Sequence, residues 1–218
     1  MSQQWGRALP AVLAIAVASV VLHASPAPSH ARAKDLFDEI YQRGQGLEST
    51  MKTVTAGFTE STSSSLLSRP LVTSGTLAVV RPSRIVLHYI DPEERTLLID
   101  KDQLTLRWPS RELEQHTDIA AAQQRIQKYF VGKNPDELRR TFTITAREAH
   151  DRPNTWEVTM VPKRKQIQQG LSRLQLWIDR SSTLLSAMRL DFPNGDSKLM
   201  TFDHIVINGP IDPNVFSK

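Results

Sequence analysis

The side chains of this chain that could do acid–base or metal chemistry are few and scattered. Beyond the first 33 residues the histidines are His88, His116, His150 and His204, and they do not pair at the short spacing typical of metal ligands. No H-E-x-x-H, G-x-S-x-G, Walker or G-x-G-x-x-G motif occurs. Covalent catalysis needs a nucleophile and a base in reach of each other, and none is visible. The sequence therefore predicts no enzyme, metal site or cofactor.

Two charged clusters are better explained by structure than by catalysis. Asp100 and Asp102 flank Lys101 between apolar runs, which is typical of a hairpin turn. Residues 163–165 (Lys-Arg-Lys) are the only dense basic run. Such a run is usually a solvated loop, and the alternative is contact with an anionic partner or a lipid headgroup. It lacks interleaved aromatic residues, so nucleic acid is not an expected partner.

Composition excludes further classes of protein. The 218 residues contain no Cys, which rules out a disulfide scaffold, a thiol nucleophile, a Cys-ligated metal and the acylated Cys of a lipoprotein. Lys+Arg total 27 against 23 Asp+Glu, but Arg7 and Arg32 lie in a leader that has no acidic residue. The remaining charge is nearly balanced, whereas nucleic-acid binders usually carry a clustered positive excess.

Residues 1–33 predict a signal peptide. Arg7 supplies the positive end, and the apolar run at 8–22 is shorter than the about 20 residues that span a bilayer. Small residues and prolines follow, with A-x-A-like cleavage sites at Ala31 and Ala33. We expect cleavage near Ala33 and release into the periplasm, with a retained N-terminal anchor as the alternative.

The rest of the chain changes between two hydrophobic periods. Residues 35–48 have helical spacing and predict an amphipathic helix that frays near Gly44 and Gly46. The polar residues 61–65 predict a loop. From there a period of two predicts short strands with hairpin turns, one of them at Asn194-Gly195. The apolar strand positions are Leu77, Val79, Ile85, Leu87, Tyr89, Leu104, Leu106, Trp108, Phe142, Ile144, Trp156, Val158, Met160, Leu174, Leu176, Ile178, Leu184, Met188, Leu190 and Phe192.

Helical patterns return in the middle of this series of strands. Thr117 is expected to cap a helix over 118–130 that stops at Gly132. Asn134 and Pro135 predict a second helix start, because Asn accepts an early backbone N–H and Pro suits the first helical position. Together the elements predict one α+β domain over residues 34–218. Several strands are apolar on both faces, so the pattern allows either two conventional layers or a ligand cavity.

A set of short motifs follows one another in order along the chain. The set starts at 75–89 (GTLAVVRPSRIVLHY), with a G-x-L strand, an R-P turn and a second strand, and then Asp91-Pro92. It continues through 97–100, 104–108, 129–138, 156–162, 174–179 and 188–191 to Asn194-Gly195 and a closing 202–208 with Phe216. In this order the motifs resemble the LolA family of periplasmic lipoprotein carriers. The departures are Asp100-Lys101 in place of the family's Asp-Gly and 58–60 (Phe-Thr-Glu) in place of its F-x-Q.

The resemblance implies a strongly curved antiparallel sheet, an incomplete β-barrel, closed by a helical lid. It implies a carrier that shelters lipoprotein acyl chains in an apolar cavity between the inner and outer membranes. The partners would be an ATP-driven inner-membrane transporter and an outer-membrane receptor lipoprotein, and we expect a monomer. The alternatives are a carrier of another lipid, such as a glycolipid or a polyene-linked acyl product, and a periplasmic interaction domain with a filled core.

The resemblance also indicates site residues. Arg81 matches an arginine whose hydrogen bonds to the lid helices hold the empty cavity shut, a role that suits the planar donor fork of Arg. Three residues match cavity-facing positions: Ile85, Leu87 and Tyr89. By alternation along the strands, the further candidates are Leu77, Val79, Leu104, Leu106, Trp156, Val158 and Met160.

Overall fold

Eleven strands form one continuous sheet in the part of the chain that the computed structural model describes, residues 35–130 and 133–216. The predicted signal peptide, residues 1–33, and the predicted helix stop at Gly132 lie outside the described residues. The helices are α1 (Leu36–Glu48), α2 (Ala120–Tyr129), α3 (Pro135–Thr141) and the single turn α4 (Lys165–Gln168). The strands are β1 (Thr53–Ser63), β2 (Leu71–Val80), β3 (Arg84–Asp91), β4 (Arg95–Asp100), β5 (Gln103–Trp108), β6 (Leu113–Asp118), β7 (Phe142–Glu148), β8 (Thr155–Pro162), β9 (Arg173–Asp179), β10 (Leu185–Asp191) and β11 (Ser197–Ile207).

The order of the strands makes the sheet an open one. It runs β6-β5-β4-β3-β2-β1-β11-β10-β9-β8-β7, with antiparallel pairing throughout. Apart from β6 and β7, strands that are consecutive in sequence are neighbours in the sheet, and β1 pairs with β11 to join its two halves. The edges are β6 and β7, and the chain passes from one to the other through α2 and α3. This confirms the predicted α+β class and the curved, incompletely closed antiparallel sheet.

The main hydrophobic core lies between one face of the sheet and the helices. Phe37, Ile40 and Tyr41 of α1 belong to one buried cluster with residues from both halves of the sheet, such as Leu87 and Val158. We call the face that carries this cluster the inner face. The helical spacing of the three α1 residues places them on one side of the helix, so α1 forms a cover over the inner face.

The opposite, outer face carries only a small second cluster. The C-terminal segment, with a 3₁₀ turn at Pro213–Phe216, packs Phe216 against Ala78 and Val86. The guanidinium carbon of Arg84 lies 4.3 Å from the centroid of the Phe216 ring. Ile90, the other apolar outer-face residue of β3, is 58% exposed. The apolar outer face is therefore covered at one place and open at another.

Side-chain caps explain where two of the helices begin. Asp35 accepts a hydrogen bond from the Asp38 amide at the start of α1. At α3, Asn134 Oδ1 accepts from the Glu137 amide at 2.9 Å while Glu137 Oε2 accepts from the Asn134 amide at 3.0 Å, which is a capping box. The predicted helix start at Asn134 is thus confirmed.

Three local predictions were wrong. Residues 61–63 continue β1 instead of forming a loop, because their backbone pairs with β2 on one side and β11 on the other whatever their side chains are. Thr117 does not cap α2: it lies in β6 opposite Leu104, and Asp118 Oδ1 instead accepts from the Ala120 amide. α1 also continues through Gly44 and Gly46 to Glu48 because packing on the sheet outweighs the low helix propensity of glycine.

The hairpin turns lie where the sequence predicted them. Lys101 joins β4 to β5 with a φ of 52°, so the turn between Asp100 and Asp102 uses a left-handed residue. Gly195 joins β10 to β11 with a φ of 85°, a conformation that glycine adopts without a steric penalty. These turns fix the register of the strands that carry the site described below.

Candidate functional site

A cavity of about 1000 Å³ opens at one end of the sheet. The strand ends that meet there are the last residues of β1 and β5 and the first of β2, β4 and β11. The helix α2 and the segment that contains α4 form the other walls. We call this end of the sheet the cavity end. The volume lies at the top of the range of about 300–1,000 Å³ that is usual for small-molecule sites.

The wall of the cavity is mainly apolar. In α2, Ala122, Ile126 and Tyr129 recur at three- and four-residue spacing, so they share the side of the helix that faces the cavity. The apolar lining residues are Leu66, Leu67, Leu71, Trp108, Ala122, Ile126, Tyr129, Phe130, Ile167, Leu171, Phe192 and Pro193. The cavity can therefore receive a hydrocarbon chain or another apolar group.

The mouth of the cavity exposes hydrophobic side chains to solvent. Leu66, in the connection between β1 and β2, is 76% exposed, and Leu67 and Leu71 are 41% and 43% exposed. All three line the cavity. An apolar surface that is continuous from the solvent into a cavity is typical of a binding site.

One buried carboxylate stands at the polar part of the lining. Glu60 is 3% exposed and accepts hydrogen bonds from Lys198 Nζ at 2.6 Å, Tyr89 Oη at 3.1 Å and Thr62 Oγ1 at 3.2 Å. Burial alone would raise the pKa of Glu60, but the charges of Lys198 and Arg95 outweigh it and hold this pKa below its ordinary value. Glu60 is therefore ionised and well bonded.

Tyr89 connects this carboxylate with an arginine. Its ring packs on Phe58 with centroids 5.0 Å apart, and Arg95 lies over the ring at 3.9 Å from the centroid. Burial, and then the charge of Glu60, raise the pKa of Tyr89, so its hydroxyl stays protonated and donates to Glu60. Tyr89 lies in β3 and reaches β1 across Gly75 of β2, where an added Cβ would collide with the backbone of β3.

The ten residues predicted to line a cavity all lie in the inner-face core. Eight are buried, while Val79 and Leu106 are partly buried and pack against the same cluster. The open cavity has none of these ten in its lining. Trp156 instead lines a second, more polar pocket of about 570 Å³, where Arg43 and Arg180 lie 5.1 and 5.6 Å from its ring centroid. In this conformation the predicted wall is covered by the helices, and its contact with a ligand stays a prediction.

Arg81 lies at the opposite end of β2 from the cavity. It follows Val80 in the turn between β2 and β3, and its amide donates to the Lys52 carbonyl at 3.0 Å. Its predicted hydrogen bonds to a lid stay a prediction.

Arg139, which the sequence analysis did not identify, forms ion pairs that connect α3 to the start of α1. Arg139 of α3 donates from Nη1 to Asp38 at 2.8 Å and from Nη2 to Asp35 at 2.7 Å. Tyr41 of α1 also donates to the Lys133 carbonyl at 2.7 Å. Sequence reasoning missed this contact; the available signal was an arginine in the last turn of one helix and two acids at the start of another.

The basic run at 163–165 has a structural contact. Lys163 Nζ donates to the Arg139 carbonyl at 2.7 Å, which connects the loop after β8 to α3.

Between residues 35 and 216, with 131–132 excepted, no group of three His, Asp or Glu residues is placed to hold a metal ion. Over the same residues, each helix is too short or too polar to cross a bilayer.

Comparisons with known proteins place this geometry in a family. The sequence profile described as "Outer membrane lipoprotein carrier protein LolA" matches residues 49–218. No curated protein sequence matches the chain.

Several solved structures are similar to this chain at low sequence identity. An uncharacterized conserved protein from Thermus thermophilus is 8% identical with a TM-score of 0.51, covering 84% of this chain and 94% of that one. The lipoprotein LppX of Mycobacterium tuberculosis is 12% identical with a TM-score of 0.46, covering 80% and 96%. A LolA superfamily protein from Nitrosomonas europaea is 6% identical with a TM-score of 0.37, covering 78% and 91%. Since the family profile spans most of the sequence, the chain belongs to the LolA family, whose profile is described as that of an outer membrane lipoprotein carrier protein.

Proposed function

We propose that this protein is a periplasmic carrier that shelters the acyl chains of lipoproteins and ferries them from the inner to the outer membrane. The observation that carries the proposal is the apolar cavity of about 1000 Å³ whose wall continues to exposed leucines at its mouth. Membership of the LolA family supports it independently.

The physical task of such a carrier is set by the hydrophobic effect. Each CH₂ group exposed to water costs about 0.8 kcal/mol, so an acyl chain crosses an aqueous compartment only inside an apolar shelter. Binding must also be reversible at both membranes. Helices that pack on the inner face compete with the cargo for the same surface and so lower its apparent affinity.

The covered inner face supplies the second part of the proposed mechanism. Movement of the helices would add Ile85, Leu87 and Tyr89 to the cargo-binding wall, together with the other predicted wall residues: Leu77, Val79, Leu104, Leu106, Trp156, Val158 and Met160. These residues already form one apolar cluster beneath the helices. Arg81 from the sheet and Arg139 between α1 and α3 would hold the empty form closed. No covalent step is involved.

The remaining parts of the proposal follow from the sequence. Residues 1–33 would direct export and be removed near Ala33, leaving residues 34–218 as a monomeric carrier domain in the periplasm. Loading would come from an ATP-driven transporter of the inner membrane, and delivery would go to an outer-membrane receptor lipoprotein.

Mass spectrometry of lipids and lipopeptides bound to natively purified protein tests the proposal. We expect acylated cargo to co-purify with the wild type and to be depleted in Leu71→Glu, which places a charge on the cavity wall. Val206→Glu is the matched control, because Val206 is also an exposed apolar strand residue, at 51%, but lies outside the cavity. Absence of acylated molecules from the wild type, or equal loading of both variants, would contradict the proposal.

A second candidate function is an interaction domain that works with a filled core. It is favoured by the dense packing of the inner face, where Leu104, Leu171 and Met188 are 0–1% exposed. This candidate predicts no bound lipid and no effect of Leu71→Glu on any hydrophobic ligand, so the same experiment separates the two.

A further inference from the structure

We propose that the cavity selects cargo that carries an anionic group, a carboxylate or a phosphate, next to its acyl chain. This inference rests on the proposed carrier function, and it adds the chemical class of the ligand. It depends on the charges at the cavity wall.

The charged lining residues leave a positive excess. Arg95, Arg125 and Lys198 line the cavity together with only two acids, Glu60 and Asp196. Lys198 forms an ion pair with Glu60, and the distance between Lys198 Nζ and Glu60 Oε1 is 2.6 Å. The Lys198 side chain is 17% exposed and the Glu60 side chain is 4% exposed. Two arginines and Asp196 therefore remain, which leaves an excess of one positive charge to balance a ligand's charge.

Arg95 is placed to bind an anion. Its guanidinium carbon lies over the Tyr89 ring at 3.9 Å from the centroid, and its charge acts on Glu60 without a direct ion pair among the described residues. Glu60 already accepts from Lys198, Tyr89 and Thr62. The oxygens of Glu60 are occupied by these donors, and Arg95 shares one side-chain hydrogen bond with Tyr89. The other N–H groups of the Arg95 fork are available to an oxyanion.

Arg125 reaches the cavity from the other wall. It lies in α2, one residue before the buried Ile126, and its Nε donates to the Ala121 carbonyl of the same helix at 3.2 Å. Among the described residues it forms no ion pair with an acid. A ligand in the cavity would thus meet a guanidinium on the sheet and another on the helix, with the apolar wall alongside.

This distribution of polar and apolar groups matches an amphiphile. The hydrocarbon part would lie against Leu66, Leu71 and Trp108, and the anionic group would lie at Arg95, with Arg125 contributing positive potential. A neutral acyl compound would gain the same apolar contacts and none of the charge-assisted hydrogen bonds. The difference should be about tenfold in affinity, the value of one such bond.

A displacement assay with three ligands of equal chain length tests the inference. The uncharged fluorophore N-phenyl-1-naphthylamine reports occupancy of the cavity, and dodecanoate, dodecyl phosphate and uncharged monolauroyl glycerol compete with it below their micelle concentrations. We expect both anions to bind about tenfold more tightly than the glyceride, with a preference that weakens as salt is added. Comparison of dodecanoate with dodecyl phosphate distinguishes a carboxylate from a phosphate as the preferred group.

Variants assign the preference to the two arginines. Arg95→Met should remove most of it, and Arg125→Met a smaller part, while the glyceride affinity stays unchanged in both. Arg140→Met is the control, because Arg140 is exposed on α3 and lies outside the cavity. Unchanged glyceride binding shows in each variant that the cavity is intact.

The possible failures are distinguishable. Equal affinity of the wild type for charged and uncharged ligands, or a preference that survives in the Arg95→Met/Arg125→Met double variant, would overturn the inference and leave the carrier function standing. Failure of the fluorophore and of all three ligands to bind would overturn both.

Discussion

The two ends of the sheet differ in how their apolar residues are used. At the cavity end, apolar side chains from β2, β5 and α2 surround open space and continue to leucines that are 41–76% exposed. Away from it, beneath α1, the inner face is filled, and Leu87 and Val158 are each 1% exposed. The same sheet therefore carries a tightly packed core and an unfilled binding surface.

This difference indicates that the packed part of the sheet mainly provides stability, whereas the cavity end provides the surface for a ligand. Packed residues gain dispersion and hydrophobic free energy within the protein, so they hold the sheet and α1 together. The leucines at the cavity mouth, Leu66, Leu67 and Leu71, are exposed and gain little from each other, so their apolar surface remains available to a ligand. The predictions below test the separation, in order of the expected effect.

The largest effect is expected in the packed core. Leu87 lies between Leu77 and Leu97 on neighbouring strands and is 1% exposed. Leu87→Ala should lower the free energy of unfolding by about 3 kcal/mol, because it removes buried contacts and leaves a void. Leu67→Ala at the cavity mouth should cost less than about 0.5 kcal/mol. Urea denaturation measures both, and similar losses would refute the proposed difference between the ends.

The next effect concerns the buried charge at the cavity. Lys198→Met leaves the Glu60 carboxylate without its closest cation and should cost about 2 kcal/mol in urea denaturation. Adding Glu60→Gln to Lys198→Met removes the uncompensated charge and should restore most of the loss. If the double variant were as unstable as the single one, the ion pair would not be the cause.

A smaller effect is expected from the contact between α1 and α3. Arg139 is 17% exposed on its side chain, and Arg139→Met removes the bonds to Asp35 and Asp38. We expect a loss of about 1 kcal/mol, since one of the two acids is half exposed. If these helices cover cargo-binding surface, binding of N-phenyl-1-naphthylamine should also become tighter. Arg140→Met, at an exposed position of the same helix outside the cavity, is the control and should change neither quantity.

The smallest effect is a difference in pH dependence. The pKa of Glu60 is lower in the folded protein than its ordinary value of 4.5, so the unfolded chain takes up this proton first. The stability that Glu60 contributes is thus complete above about pH 4.5 and is lost as the pH falls below it. Urea denaturation between pH 7 and pH 3 should show a shallower decline for Glu60→Gln/Lys198→Met than for the wild type. A parallel decline would show that other carboxyls account for it.

The sequence predicted the sheet, but it did not indicate the open cavity. The period of two at 85–89 and 156–160 correctly identified inner-face residues, because alternation directly reports which face of a strand is buried. It did not show which inner-face residues are covered by helices, since that depends on contacts between elements far apart in sequence. Hence all ten predicted wall residues lie in the core or against it.

The residues around the cavity carried weaker signals. Leu66 and Leu67 stand in a polar connection between strands, and Glu60 and Lys198 are 138 positions apart in the chain. Neither pair follows a helical or strand period, so a search for hydrophobic periodicity does not detect them. Only the pairing of β1 with β11 and the curvature of the sheet bring them to one site.

The most direct test of the central claim is to map where an acyl chain lies. A fatty acid with a diazirine at the end of its chain would be bound to the wild-type protein and activated by light, and the labelled peptides would be identified by mass spectrometry. We predict labels in the peptides that contain Leu66, Leu71 and α2. Labelling confined to the outer face, or no specific labelling at all, would contradict the claim that the cavity end receives acyl chains.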